Sequence, residues 1–120
     1  MVNTIYILDD IADSPASAYI EDGIIIVSAK KFDKYPIEYR FFILLHEYFH
    51  IVAKSQNEEL VDYYAFQEYA QRGYSLRRLI DCMIDVLSLQ LQESHRKRTT
   101  KLLLYAQEFD RKWQLNSSKK

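Results

Sequence analysis

The chain has 120 residues, 48% of them hydrophobic, with sixteen lysines and arginines against seventeen aspartates and glutamates for a net charge of −1. That length and apolar content describe a single domain with a core of its own, in no need of disulfides or a metal as a folding staple. The balanced charge argues against nucleic acid as the principal partner, and the apolar runs are too short to span a bilayer, so no membrane partner is expected.

From the N-terminus, Thr4 to Leu8 reads as a short strand, and Asp9-Asp10 follows with no basic leader before it, so no signal peptide is expected. Ala18-Tyr19-Ile20 and Gly23 to Val27 read as two more strands joined by the turn Glu21-Asp22-Gly23, which predicts a small antiparallel sheet of about three strands. Pro36 suits a first helical turn, and a helix is predicted from Ile37 to Lys54. Ser55-Gln56-Asn57 supplies a turn with capping residues before a second helix from Glu58 to Gln71, closed by Arg72-Gly73.

Ser75 caps a third helix, on which Leu76, Leu79, Ile80, Met83, Leu87 and Leu91 keep helical spacing. The single cysteine, Cys82, falls inside that pattern and cannot close an internal disulfide, which predicts a core residue in a reducing, cytoplasmic compartment. A fourth helix is predicted from near Lys97, with Leu102, Ala106, Phe109 and Trp113 as its apolar stripe. The basic cluster His95-Arg96-Lys97-Arg98, with Lys101, reads as a solvated helix start or turn. The organisation is therefore α+β, with one domain over 1–115 and a disordered tail at 116–120.

The chemistry concentrates in Phe41-Phe42-Ile43-Leu44-Leu45-His46-Glu47-Tyr48-Phe49-His50-Ile51-Val52-Ala53, where His-Glu-x-x-His lies inside an apolar helical run. At about 100° per residue, His46 and His50 lie one turn apart on the same side, where two imidazoles can share one zinc ion. A pair of buried imidazoles needs a partner, which favours metal over two core histidines. Glu47 is expected to be the general base, taking a proton from a water acidified by the metal and passing it to the leaving amine.

A catalytic zinc site has three protein ligands and one open position. The next helix offers Glu58, Glu59 and Asp62 as the third ligand. If the two helices are antiparallel across a short turn, residues near 58 to 62 return to the level of His50. Glu58 also has another reading, because Ser55-x-x-Glu58 has the spacing of a capping box.

His46-Glu47-x-x-His50 followed by Glu58-x-x-Val61-Asp62-x-x-Ala65 resembles the HExxH…ExxAD…A pattern of gluzincin peptidases, with valine at the usual alanine. That pattern is shared by the prenyl-protein-processing and heat-shock membrane proteases, by their small soluble relatives, the minigluzincins, and by repressor-cleaving peptidases. Ala16 to Ser28 is similar to the strand pair that precedes the metal helix in the first group, where an edge strand pairs with the substrate peptide. Ala70-x-x-Gly73-Tyr74-Ser75 resembles the turn after the glutamate helix. The resemblance implies a zincin-like fold, zinc held by His46, His50 and Glu58, and Asp62 orienting a histidine.

Glu93-Ser94-His95 resembles a histidine-proline segment, with Arg96 at the proline. There the resemblance makes His95 a catalytic donor to the oxyanion. It also makes Lys101 the cation that pairs with Asp62. The step from His50 to Glu58 is shorter than in those relatives.

The leading expectation is thus a zinc-dependent endopeptidase acting on a peptide or protein substrate. The alternative is a catalytically silent or latent metal- or peptide-binding module of the same fold in a larger assembly, which the small size and ten tyrosines suit.

Overall fold

The computed structural model describes residues 1–12 and 14–118. It is α+β: strands β1 (Thr4–Leu8), β2 (Ala16–Tyr19) and β3 (Ile24–Ser28) precede helices α1 (Ala29–Phe32), α2 (Ile37–Val52), α3 (Glu58–Gln71), α4 (Leu76–Leu89) and α5 (Glu93–Ser118). Of the tail expected at 116–120, residues 116–118 continue α5, and 119 and 120 lie outside the described residues.

The strand order is β1-β3-β2, with β2 antiparallel and β1 parallel to β3. The sheet is mixed where an antiparallel one was expected. Each turn reverses the chain, so β1 and β3 run the same way, and placing them side by side makes that pair parallel. The central place falls to β3 because Ile24-Ile25-Ile26-Val27 is a run of β-branched residues, suited to a strand flanked on both edges. Gly23 sets the turn before it: its φ is +67°, and a Cβ there would lie 2.6 Å from the Met1 carbonyl oxygen. The close approach lets the Asn3 amide donate to the Gly23 carbonyl at 2.7 Å, which starts β1 along β3.

The sheet leaves β2 as the edge strand next to α2. It begins at Ala16, two residues earlier than expected, because Ala16 pairs with Val27, and Ile20 belongs to the turn. The short α1, not anticipated from sequence, is capped by buried Ser28, whose hydroxyl accepts from the Lys31 amide at 3.1 Å.

Aromatic packing fixes the remaining helices. Phe42 of α2 stacks on Phe66 of α3 with ring centroids 4.4 Å apart, and Phe66 in turn meets Tyr105 and Phe109 of α5 at 5.7 and 5.8 Å. Leu79, Ile80, Met83 and Val86 bury one face of α4 in the same core, with Cys82 beside them. Leu91 does not belong to that stripe. It is 94% exposed, since the extended backbone of Gln90 has already ended the helix. The last helix begins at Glu93, a turn before the expected Lys97, which brings His95 into its first turn. Among the described residues no helix is long and apolar enough to cross a membrane.

Candidate metal centre

The apolar flanks of α2 turn Phe42, Leu45 and Ile51 into the core, and the same helix carries His46 and His50 along one side. Their rings lie 4.7 Å apart between centroids, with Nε2 facing Nε2 at 3.1 Å. Glu58 closes the pair: one carboxylate oxygen is 3.0 Å from His46 Nε2 and the other 2.9 Å from His50 Nε2. Among the described residues these three form the one group of metal-ligating side chains whose donor atoms all lie within 4.8 Å of one another.

The turn between the helices explains how so short a step reaches the third residue. Directly after α2, Lys54 adopts φ +51°; its amide donates to the Ile51 carbonyl at 3.2 Å, and the Ser55 amide donates to the His50 carbonyl at 3.1 Å. This is a Schellman closure, in which glycine usually takes the left-handed position. It reverses the chain within a few residues of His50 and returns the Ser55 carbonyl to the same histidine, where it accepts from Nδ1 at 2.7 Å. Asn57 then caps α3, its side chain accepting from the Leu60 amide at 3.2 Å, while Ser55 Oγ accepts from the Asn57 amide. The capping box suggested by Ser55 and Glu58 is therefore not formed. Its absence leaves the Glu58 carboxylate to the histidines.

Behind His46, Asp62 Oδ1 approaches Nδ1 to 2.7 Å. That approach is oblique to the ring N–H, so Oδ1 remains a buried acceptor without a well-aligned donor, and the contact acts mainly through charge. Ser55 O and Asp62 together favour hydrogen on both Nδ1 atoms, which leaves two Nε2 lone pairs facing one another and the Glu58 carboxylate. Lone pairs and an anion at such distances repel, and a shared cation relieves all three at once.

Without metal, a proton serves that purpose. Burial pulls the His46 pKa down, but the Asp62 and Glu58 carboxylates beside the ring outweigh it and hold the value up at about 10. The His46 hydrogen bond correspondingly draws Glu58 below its ordinary value. Glu47 is 9% exposed, its carboxylate 3.9 Å from His46 Nε2. Burial raises its pKa against the opposing pull of the two histidines.

These groups open onto a cleft of about 1330 Å³. The cleft is lined by the edge strand β2 through Ala16, Ser17 and Ala18 and by the start of α5 through His95 and Arg98. Of the three acidic residues offered by sequence, Glu58 meets both histidines and Asp62 backs one of them. Glu59 lines the cleft and makes no ion pair among the described residues. His95 also reaches the cleft, half-buried, without a hydrogen bond among the described residues. The expected Asp62–Lys101 contact is not made, because half-buried Asp62 is turned to His46 while Lys101 stays exposed on α5.

Two participants were not singled out from sequence. The Ser55 backbone carbonyl carries no side-chain signature at all. Arg98 was absorbed into the basic cluster, although its position three residues after His95 would have placed it on the same helical face. The chain matches no family model, no curated protein and no solved structure.

Proposed function

We propose that this chain is a small zinc-dependent endopeptidase with a zincin-like fold and a gluzincin-like site. The observation that carries the reading is the closed trio of His46 Nε2, His50 Nε2 and the Glu58 carboxylate, with buried Glu47 beside it in a cleft bordered by a free strand edge. Two imidazoles and one carboxylate suit zinc, whose catalytic sites take three protein ligands and keep one position open. Zinc held by these residues would supply a Lewis acid for the scissile carbonyl and lower the pKa of a water molecule to about 7.

The chain's own groups do the rest. Ser55 O and Asp62 hold the two imidazole rings with Nε2 inward. The exposed N–H and C=O groups of β2 offer hydrogen bonds to an extended peptide, laying it along the cleft. Glu47 takes the proton of the attacking water and returns it to the departing amine. His95, lining the same cleft, is the donor for the oxyanion that develops on the carbonyl. The lone buried Cys82 suits a reducing, cytoplasmic setting.

Metal analysis of the purified protein, paired with a peptide-cleavage screen, tests the reading. One zinc per chain is expected, and Glu47→Gln should keep that zinc while cleavage falls by about 10²–10⁴-fold. Zinc retained with no cleavage by the unaltered protein would instead identify a silent binding module. Loss of zinc in Glu47→Gln would remove Glu47 from its assigned role.

A further inference from the structure

Where α5 lines the cleft it carries a guanidinium with no ion pair among the described residues. On α5, His95, Arg98, Thr99, Leu102 and Tyr105 follow one another at helical spacing and all line the cleft. Thr99 is buried and lines the cleft together with the buried Tyr39 of α2, which fixes the face that α5 presents there. Leu102 and Tyr105 pack on the core further along. With those residues fixed, exposed Arg98 lies at the rim of the cleft.

Arg98 lines the same cleft as Glu47 and Glu58, yet it makes no hydrogen bond or ion pair among the described residues. Its neighbour Lys97, by contrast, reaches Glu93 at 3.6 Å. Of the cleft's carboxylates, Glu58 is engaged with both histidines and Asp62 with His46, and Glu59 forms no ion pair with Arg98. Lys34 and Lys101 line the same cleft, also without ion pairs among the described residues. A divalent cation at the trio would add further positive charge. A ligand carrying an anion would supply what this wall lacks.

We propose that Arg98 receives a carboxylate of the substrate, so that the peptides taken by this cleft are acidic. The proposal rests on the peptidase reading for the nature of the ligand. A guanidinium offers a rigid fork of N–H donors that matches a carboxylate with two parallel hydrogen bonds, a match an ammonium cannot make. Arg98 is exposed whereas His95 is half-buried, so Arg98 stands towards the mouth of the cleft and His95 deeper. That places Arg98 where a bound substrate presents its flanks and not its reacting carbonyl. It is a specificity residue, and its contact forms in the ground state.

The test uses zinc-loaded Glu47→Gln protein, which holds peptide without cutting it, and three matched sets of labelled peptides. One set has Asp and Glu with blocked ends, one has Asn and Gln with blocked ends, and one has Asn and Gln with a free C-terminal carboxylate. Binding at least about tenfold tighter for an anionic set than for the blocked amide set is expected. Whichever anionic set wins tells a side-chain carboxylate from a terminal one. Adding Arg98→Gln should erase the difference, and Arg98→Lys should restore part of it. Equal binding of all three sets, or a preference that survives Arg98→Gln, overturns the proposal.

Cleavage by the unaltered protein keeps the two claims apart. Anion preference in binding without cleavage by zinc-loaded protein defeats the peptidase reading and leaves Arg98 standing. Cleavage of all three sets with equal KM does the reverse.

Discussion

On the α2–α3 side of the cleft each member of the trio is held by a neighbour: His50 by the Ser55 carbonyl, His46 by Asp62, and Glu58 by both histidines. On the α5 side, His95 and Arg98 reach the same space with no hydrogen-bond partner among the described residues. The first wall is built from two helices joined by one tight turn, so its geometry is set within a short stretch of chain. The second depends on α5 returning across the core, through Phe66, Tyr105 and Phe109. The contrast separates two tasks. A metal needs ligands fixed before it arrives, whereas a substrate needs donors that are free until it does.

The packing that joins the two walls is the place to strike hardest. Phe66 is fully buried and touches Phe42 on one side and α5 on the other. Phe66→Ala should cost about 3–5 kcal/mol, read as a lowered denaturant midpoint. A cost below about 1 kcal/mol would mean that the walls do not depend on this contact. Within the first wall, Asp62→Asn keeps the shape but removes the charge behind His46. Zinc affinity should fall about 10–100-fold by competition with a chelator while the fold persists. Unchanged affinity would show that the Ser55 carbonyl and Glu58 suffice to set the site.

The same division explains what could be read in advance. His46, Glu47 and His50 share one helix, and Glu58 starts the next one after a turn rich in capping residues, so local spacing carries them to the right place. Even there the cap itself is Asn57, which accepts from the Leu60 amide, while the Ser55 amide that a capping box would use already donates to the His50 carbonyl. Spacing does not say which strand lies beside which, and the parallel pairing of β1 with β3 follows from neighbour choice alone. Nor does it say which face of α5 meets α2. That face is set by packing between residues far apart in the chain, with buried Thr99 and Tyr39 both lining the cleft, which is why Arg98 was left in the basic cluster and Lys101 was assigned to Asp62.

A smaller effect is expected at the turn. Lys54 holds a left-handed backbone conformation that costs a non-glycine residue roughly 1–2 kcal/mol, partly offset by the greater unfolded-state freedom of glycine. Lys54→Gly should therefore stabilise the protein by about 0.5–1 kcal/mol with zinc affinity unchanged. Lys54→Val, β-branched and disfavoured at positive φ, should destabilise it and loosen zinc together, because the Ser55 carbonyl would no longer return to His50. If Lys54→Val weakens folding and leaves zinc affinity untouched, the turn does not position that ligand.

The smallest effect concerns the segment of the cleft rim that runs from β1 to β2 and contributes Ala12, Ser14 and Pro15. Asp10 ties this segment to α1, accepting from Lys31 Nζ at 2.7 Å and from the Ser28 hydroxyl at 2.9 Å, while Lys31 also donates to the Ile11 carbonyl. The Lys31 hydrogen bond, followed by that from Ser28, lowers the Asp10 pKa from 3.8 to about 2. A carboxyl depressed in the folded state stabilises it fully above its unfolded pKa and loses that contribution as pH falls through the folded value. The window here is therefore about pH 4 down to about 2. Because the carboxylate is solvent-exposed, the contribution is small. Asp10→Asn should lower the melting temperature slightly at pH 7, and the gap to the unaltered protein should close progressively between pH 4 and pH 2. A gap that stays constant across that range would show that Asp10 acts there through shape and not through charge.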